Sequence, residues 1–407
     1  TEELKQMILA KASDDFDWSE ISPTIFGAVF ESTLNPETRR SGGMHYTSIE
    51  NIHKVIDPLF LDALKVEFEE IKGISQEKQQ RQRLDAFQDK LASLTFFDPA
   101  CGSGNFLTES YVSLRRIENQ VIALRNKGQA VIGDFANPVK VDIHQFYGIE
   151  INDFAVSVAT TALWIAEQQM LQETEKIASF QIKSLPLKAY HNIKEGNALR
   201  IDWSEVIAPE KLNYIMGNPP FVGLSLRTTA QQEDMDMIFK GNDRAGRLDY
   251  VAAWYRKAAD YMLNTRIEAA FVSTNSICQG EQVPILWEEL FQKGIHINFA
   301  YRTFIWQSEA SLKAHVHCVI VGFSYQERAI KTIYENEIGK KVSQINGYLV
   351  NADNVFIQLR GKANPDMPKL VQGNKPWDGG FLILSPDERE ELVKKYPEAD
   401  SLIRQYI

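Results

Sequence analysis

Asn218-Pro219-Pro220-Phe221 is a segment equipped to handle a planar amine. An amino group on an aromatic or heterocyclic ring is a poor nucleophile, because its lone pair is delocalised into the ring. Two acceptors, the Asn218 side-chain oxygen and the Pro219 carbonyl, can bind both N–H groups. They would favour a pyramidal nitrogen and aim its lone pair at an electrophile such as a methyl group. No strong general base is required, since the proton becomes acidic once the new bond forms. Pro219 and Pro220 fix the backbone so that the acceptors stay in place, and Phe221 can cover the face of the ring.

About 120 residues earlier stands Phe97-Asp98-Pro99-Ala100-Cys101-Gly102-Ser103-Gly104-Asn105-Phe106. Its layout is that of a ligand loop: a strand end, then glycines that let backbone N–H groups approach, then a helix N-terminus. Asp98 can accept from an ammonium group, and its charge opposes a phosphate. A strand–helix turn without ligand is the competing reading. Glu150, at the end of Gln145-Phe146-Tyr147-Gly148-Ile149-Glu150 and followed by Ile151, can take both ribose hydroxyls of a nucleoside. It lies 46 residues past Gly104, whereas the dinucleotide fingerprint spaces its acid by ~20. The assignment therefore requires an insertion, roughly Asn126 to Gln145; a plain surface acid is the alternative. Gly196-Asn197-Ala198-Leu199 follows another strand and could meet an adenine edge.

Chemistry on a base inside a duplex requires extrusion of the nucleotide. Phe304 and Trp306 could press on an extruded ring, and burial in the core is the alternative for both. His315-Val316-His317-Cys318 lacks a second ligand pair with metal-site spacing and reads as a strand with incidental polar residues, so no metal is expected. Asp249-Tyr250 opens an aromatic-rich helix that would support the pocket.

The elements that must position these groups alternate. Strands are expected at Leu94 to Asp98, Gln145 to Glu150, Leu212 to Gly217, Ala269 to Thr274 and His317 to Phe323. Helices are expected through about Arg125 and over Ala155 to Gln169. This alternation predicts an α/β fold, a mostly parallel sheet with helices on both faces. Residues 1–40 read as helical, with a helix start at Pro23. Helical patterning resumes from Ile49 to Leu94, broken by a polar run from Gln76 to Gln82 that suits a solvated face. After Phe323 the pattern weakens.

At 407 residues the chain exceeds a single-core domain. Its 44% hydrophobic and 24% charged content is that of an ordinary globular protein. No run of about 18 apolar residues suggests a membrane span. Thr1-Glu2-Glu3-Leu4 has no initiator Met and no apolar signal core, so the chain reads as part of something longer. Three widely spaced cysteines, Cys101, Cys278 and Cys318, point to a reducing, cytoplasmic setting. A net charge of -10 means that phosphate contacts must come from a local basic surface.

On these residues the chain resembles gamma-class N6-adenine DNA methyltransferases, in which the cofactor loop precedes the catalytic tetrapeptide. Asp98, Gly102 and Gly104 match the loop, Glu150 the ribose acid, and Asn218 to Phe221 the tetrapeptide. Gly43-Met44-His45-Tyr46-Thr47-Ser48 matches an upstream segment in which Tyr46 and Thr47 would fold over the methionine end of the cofactor. Ser48 stands where a proline is common, and Asn197 where an acid is usual. Trp306-Gln307-Ser308-Glu309-Ala310, Val316 to Ile320 and Lys375-Pro376-Trp377-Asp378-Gly379-Gly380 are similar, more narrowly, to the MmeI-like (type IIG/IIL) single-chain restriction-modification enzymes.

The resemblance implies a Rossmann-like, seven-stranded methyltransferase fold with an N-terminal helical segment. It also implies S-adenosyl-L-methionine as cofactor and double-stranded DNA as partner, with the target adenine flipped out. The expected organisation is a helical spacer over 1–40, a methyltransferase domain over 41–335, and a connector over 336–407. That connector would lead to a target-recognition domain, and a nuclease could stand on the parent chain. Methylation of a glutamine amide or an RNA base, and a non-catalytic DNA-binding module, are the alternatives.

Overall fold

The computed structural model describes residues 47–126, 138–178, 190–306, 316–358 and 383–404. The spacer expected over 1–40 and the segment from Lys375 to Gly380 lie outside the described residues. The first compact unit reaches Gln358. In it α1 (Ile49–Ile56), a π-helical turn (Asp57–Leu61), α2 (Asp62–Lys72) and α3 (Glu77–Ser93) come first. The polar run from Gln76 opens α3 and is mostly exposed.

Alternation then begins: β1 (Phe96–Asp98), α4 (Asn105–Arg125), β2 (Phe146–Glu150), α5 (Asp153–Ala178), β3 (Ile193–Glu195) and β4 (Tyr214–Gly217). After α6 (Thr229–Ile238) and α7 (Ala252–Tyr261) come β5 (Glu268–Thr274), α8 (Gln282–Gln292), β6 (His296–Trp306), β7 (Val316–Ser324), β8 (Lys331–Glu335) and β9 (Ile338–Val342). Helix α4 itself takes 21 residues, which accounts for much of the long interval between Gly104 and Glu150.

The strands form one sheet in the order β3-β2-β1-β4-β5-β7-β6-β8-β9. Pairing is parallel from β3 to β5, antiparallel on both sides of β7, parallel between β6 and β8, and antiparallel between β8 and β9. The sheet is thus mostly parallel, as expected, but it has nine strands rather than seven. The difference is the β8–β9 hairpin, whose outer strand Ile-Gly-Lys-Lys-Val is largely exposed and carries no apolar run. The sheet therefore continues past the boundary expected at 335.

Consecutive strand residues feed opposite cores, as the two-residue period demands. Phe96, Phe146, Met216 and Val272 pack with Ile52, Leu64, Leu84, Leu107 and Ala159 from α1 to α5. Phe97, Ile149, Ile215 and Phe271 pack with Met235, Trp254 and Leu286 from α6 to α8. Burial on both faces explains why the parallel strands read as continuous apolar runs. The second unit begins at Leu359. Its described part holds α9 (Pro386–Lys395), opened by a capping box between Ser385 and Glu388.

Candidate active site

Parallel pairing assembles the site. β1 pairs with β4, Phe96 opposite Tyr214 and Phe97 opposite Ile215. Strand order reverses between them, since β2 and β3 lie on one side and β5 on the other. Such a reversal leaves a crevice beyond the carboxyl ends of the strands, because the connections leave towards opposite faces. Asp98 ends β1, Gly217 ends β4, and Asn218 follows.

Asp98 and Gly217 are in contact. A Cβ on Gly217 would stand 2.4 Å from Asp98 Oδ1 and 3.1 Å from its Cγ. The glycine loop and the tetrapeptide therefore share one wall. Asp98 is only 1% exposed. Its Oδ1 accepts the Ala100 N–H at 2.9 Å. Its Oδ2 is buried and has no hydrogen-bond partner among the described residues. Burial, opposed by the Ala100 bond and reinforced by the charge of Glu150, raises its pKa to about 8. Such a carboxyl lacks a donor or a positive charge.

The loop is shaped by two left-handed residues, Gly102 (φ 53°) and Gly104 (φ 80°). Gly104 caps α4, and a Cβ there would meet Ala159 Cβ at 2.8 Å, so α4 starts hard against α5. The Gly102 N–H donates to Glu150 Oε2 at 2.9 Å, and the Asn152 N–H to Oε1 at 3.0 Å. Burial raises the Glu150 pKa, while these backbone donors oppose the shift. Each oxygen keeps a lone pair for another donor. Ile151 beside it is 65% exposed and Phe154 58% exposed. Cys101, Asn105 and Phe106 are buried under the loop, and the Pro99 carbonyl accepts the Trp254 indole N–H at 3.2 Å.

Asn218 Nδ2 donates to Thr47 Oγ1 at 3.2 Å, and Thr47 is buried. The bond turns the amide so that Oδ1 faces away, buried and without a partner among the described residues. Ser48, where a proline is common in the resembled family, caps α1 by accepting from the Asn51 N–H. Tyr46 lies outside the described residues. Pro219 is buried, while Pro220 and Phe221 are half-buried. Phe221 packs against both cores. The Tyr250 N–H donates to the Val222 carbonyl at 3.0 Å. Asp249 accepts from the Thr274 and Ser276 hydroxyls. This pair supports the exit of the tetrapeptide.

Thr47, Asp98, the glycine loop, Glu150 and Asn218 thus meet in one crevice. Asn197 is engaged elsewhere: its Nδ2 donates to Asp234 Oδ2 at 2.9 Å and its Oδ1 accepts the Leu199 N–H at 2.9 Å. Ala198 is buried in the core. Asp234 also binds Arg200 and the Tyr250 hydroxyl. Neither Asp234 nor Trp254 carries a sequence signal, because each acts through partners distant in the chain. Phe304 lies at the same sheet edge but three strands from β4, about 14 Å away at ordinary strand spacing. Lys54 Nζ stands 5.4 Å from its ring centroid. Trp306 ends β6 opposite Val316, and its side chain lies outside what is described.

His317 pairs with Ile305 on β6, and His315 lies outside the described residues. Among the described residues no cluster of His, Cys, Asp and Glu is arranged to hold a metal. No helix among them is long and apolar enough to cross a membrane.

Residues 74–335 match the family model described as MmeI, DNA-methyltransferase domain. The chain belongs to this family. Residues 351–407 match the MmeI target recognition domain, so the stretch expected as a connector carries sequence of that domain's kind. DNA methyltransferase A of Bacillus subtilis (strain 168) is 39% identical over 413 residues, covering 98% of this chain and 45% of that protein. A putative type II restriction enzyme and methyltransferase of Methanocaldococcus jannaschii is 23% identical over 272 residues, 61% of this chain and 22% of that protein. The chain thus spans less than half the length of these curated relatives. The solved structure of the type IIL restriction-modification enzyme MmeI in complex with DNA superposes with a TM-score of 0.87 at 42% identity. It covers all of this chain and 54% of the MmeI chain. The MmeI-family methyltransferase fold is therefore the frame in which the crevice is to be understood.

Proposed function

We propose that the protein transfers a methyl group from S-adenosyl-L-methionine to the N6 amine of adenine in double-stranded DNA, with the target base flipped out. Its setting would be a restriction-modification system, and its location the cytoplasm. One observation carries the reading: two buried acceptors without partners among the described residues, Asp98 Oδ2 and Asn218 Oδ1, stand at the ends of adjacent strands joined by the Asp98–Gly217 contact.

The residues present fit that cofactor. Asp98 suits a positively charged amino group, since a cation would offset the desolvation that raises its pKa. Glu150 suits the two ribose hydroxyls, and exposed Ile151 offers an apolar surface to an adenine ring. Gly102, where a Cβ would meet nothing within 4 Å, leaves room for close approach, while Gly104 lets α4 start against α5. When bound, the cofactor supplies an activated methyl group on a sulfonium. Asn218 Oδ1 and the Pro219 carbonyl would hold the two N–H groups of the target amine, and Thr47 keeps the Asn218 amide turned for that task. Phe221 would cover the base. Each interaction strengthens as the nitrogen becomes pyramidal and acquires positive charge, so it favours the transition state over the ground state.

Transfer of tritiated methyl groups to unmethylated genomic DNA tests the reading, with RNA and protein as parallel acceptors. Label in DNA, recovered as N6-methyladenine after digestion, is expected. Label confined to RNA or protein would reject DNA as substrate, and N4-methylcytosine would reject adenine. Asn218→Ala should abolish transfer, a loss of about a thousandfold or more, while cofactor affinity stays nearly unchanged. Loss of both would make Asn218 a structural residue.

A further inference from the structure

The turn that follows the tetrapeptide displays two leucines to solvent. Leu224 is 51% exposed and Leu226 77% exposed, on the short 3-10 turn Leu224–Leu226. Isolated apolar side chains on a surface need no explanation; two on one three-residue turn beside a candidate active site do.

The turn is held, not loose. At its entry the Val222 carbonyl accepts the Tyr250 N–H at 3.0 Å, and the turn closes with Leu226 N–H to Gly223 carbonyl at 2.9 Å. At its exit Arg227 Nη2 donates to the Gly246 carbonyl at 2.7 Å, and Thr228 caps α6 through a capping box with Gln231. An apolar tip fixed at both ends is presented at no further cost in ordering.

Its reach fits a duplex. Two chain steps separate Phe221 from Gly223, at most ~7 Å. A closed turn holds its first and last Cα within ~7 Å. Leu226 therefore lies within ~14 Å of Phe221, a few base-pair steps at most. A base covered by Phe221 leaves its gap in the stack within range of Leu226. Apolar side chains serve well in such gaps, because they replace lost stacking contacts without needing a hydrogen-bond partner.

We propose that Leu226, assisted by Leu224, enters the duplex and occupies the space left by the extruded base. Leu226 is then a positioning residue: it stabilises the open duplex while Asn218 and Pro219 hold the amine. The inference rests on the base-flipping reading given above.

The test uses the protein in its complete form and a duplex carrying its modified site, first mapped on unmethylated DNA with the unaltered protein. Leu226→Ala and the Leu224→Ala/Leu226→Ala pair replace exposed side chains and should leave folding and cofactor affinity unchanged. On the matched duplex, methyl transfer should fall by about tenfold or more. With 2-aminopurine at the target position, the fluorescence rise seen with the unaltered protein should shrink. Placing the target adenine opposite an abasic site removes the need to open the pair, and there the variants should regain the unaltered rate. Wild-type behaviour on the matched duplex would overturn the wedge while leaving the methyltransferase reading in place. An equal loss on both duplexes would also overturn it, because the turn would then be structural. No transfer to DNA by the unaltered protein would overturn both readings.

Discussion

Asp98 and Gly217 show how a single missing side chain can bring two strand ends together. With Gly217 bare, the Asp98 carboxyl lies against the backbone that leads into Asn218. Gly217→Ala would drive a methyl into that carboxyl, and we expect a cost of about 1–3 kcal/mol in stability with loss of cofactor binding, read by thermal unfolding and calorimetry. Asp98→Asn should separate stability from function. Burial raises the pKa of this carboxyl to about 8, so near neutrality folding must add a proton that an amide does not need, and the variant should stabilise the ligand-free fold by roughly 1–3 kcal/mol while cofactor affinity falls. A variant that binds normally would remove Asp98 from the site. The motifs around Asp98, Glu150 and Asn218 were legible because each is a short run whose residue types imply a geometry. Gly217's contact was not, since a glycine's neighbours across strands leave no trace in local sequence. Asn197 illustrates the converse: its turn could be read, but its partner Asp234, 37 residues on in the chain, could not.

Between elements, the coupling of α1 to α4 deserves a direct measurement. His53, on the helix that follows Thr47, binds Asp57 at 2.9 Å and Glu109 of α4 at 3.2 Å. The Asp57 bond first, and the Glu109 bond second, raise its pKa to about 9. The folded value exceeds the unfolded one, so this stabilisation is complete below the ordinary imidazole range near 6.5 and is lost as pH rises through about 9. Because the ring is partly solvated, we expect only about 1 kcal/mol. Unfolding midpoints compared at about pH 6 and pH 10 should differ less in His53→Gln than in the unaltered protein; equal differences would show that the pair contributes nothing. Most elements were readable from apolar runs, since parallel strands buried on both faces must be apolar throughout. β6 was hidden by its mixture of His, Asn, Arg and Thr with aromatics, although its alternation is a strand signal. β9 was hidden because an edge strand buries little and needs few apolar residues, and β8 because two of its three buried positions are Lys331 and Thr332.

At the scale of the whole described unit, Arg328 ties the first helices to the sheet. It donates to the Pro58 carbonyl at 2.9 Å, the Leu59 carbonyl at 3.0 Å and Glu268 Oε2 at 2.6 Å. Only a guanidinium presents enough donors in one plane to serve all three. Arg328→Ala should cost about 1–3 kcal/mol, and Arg328→Lys should recover little of it, as thermal unfolding would reveal; full recovery by lysine would reduce the contact to a simple charge pair. The fold class was legible at this scale from alternation alone, whereas the tie was not, because Pro58 and Arg328 are 270 residues apart. The protonation of Asp98 has a consequence for the molecule as a whole. With its pKa raised to about 8 by burial, that carboxyl holds a proton near neutrality, and binding of the proposed positively charged cofactor would expel it into the medium. Heats of association should then depend on whether the buffer that absorbs this proton is phosphate or Tris. Below about pH 8 affinity should drop about tenfold for each unit of acidification, making occupancy of the crevice a gauge of ambient acidity.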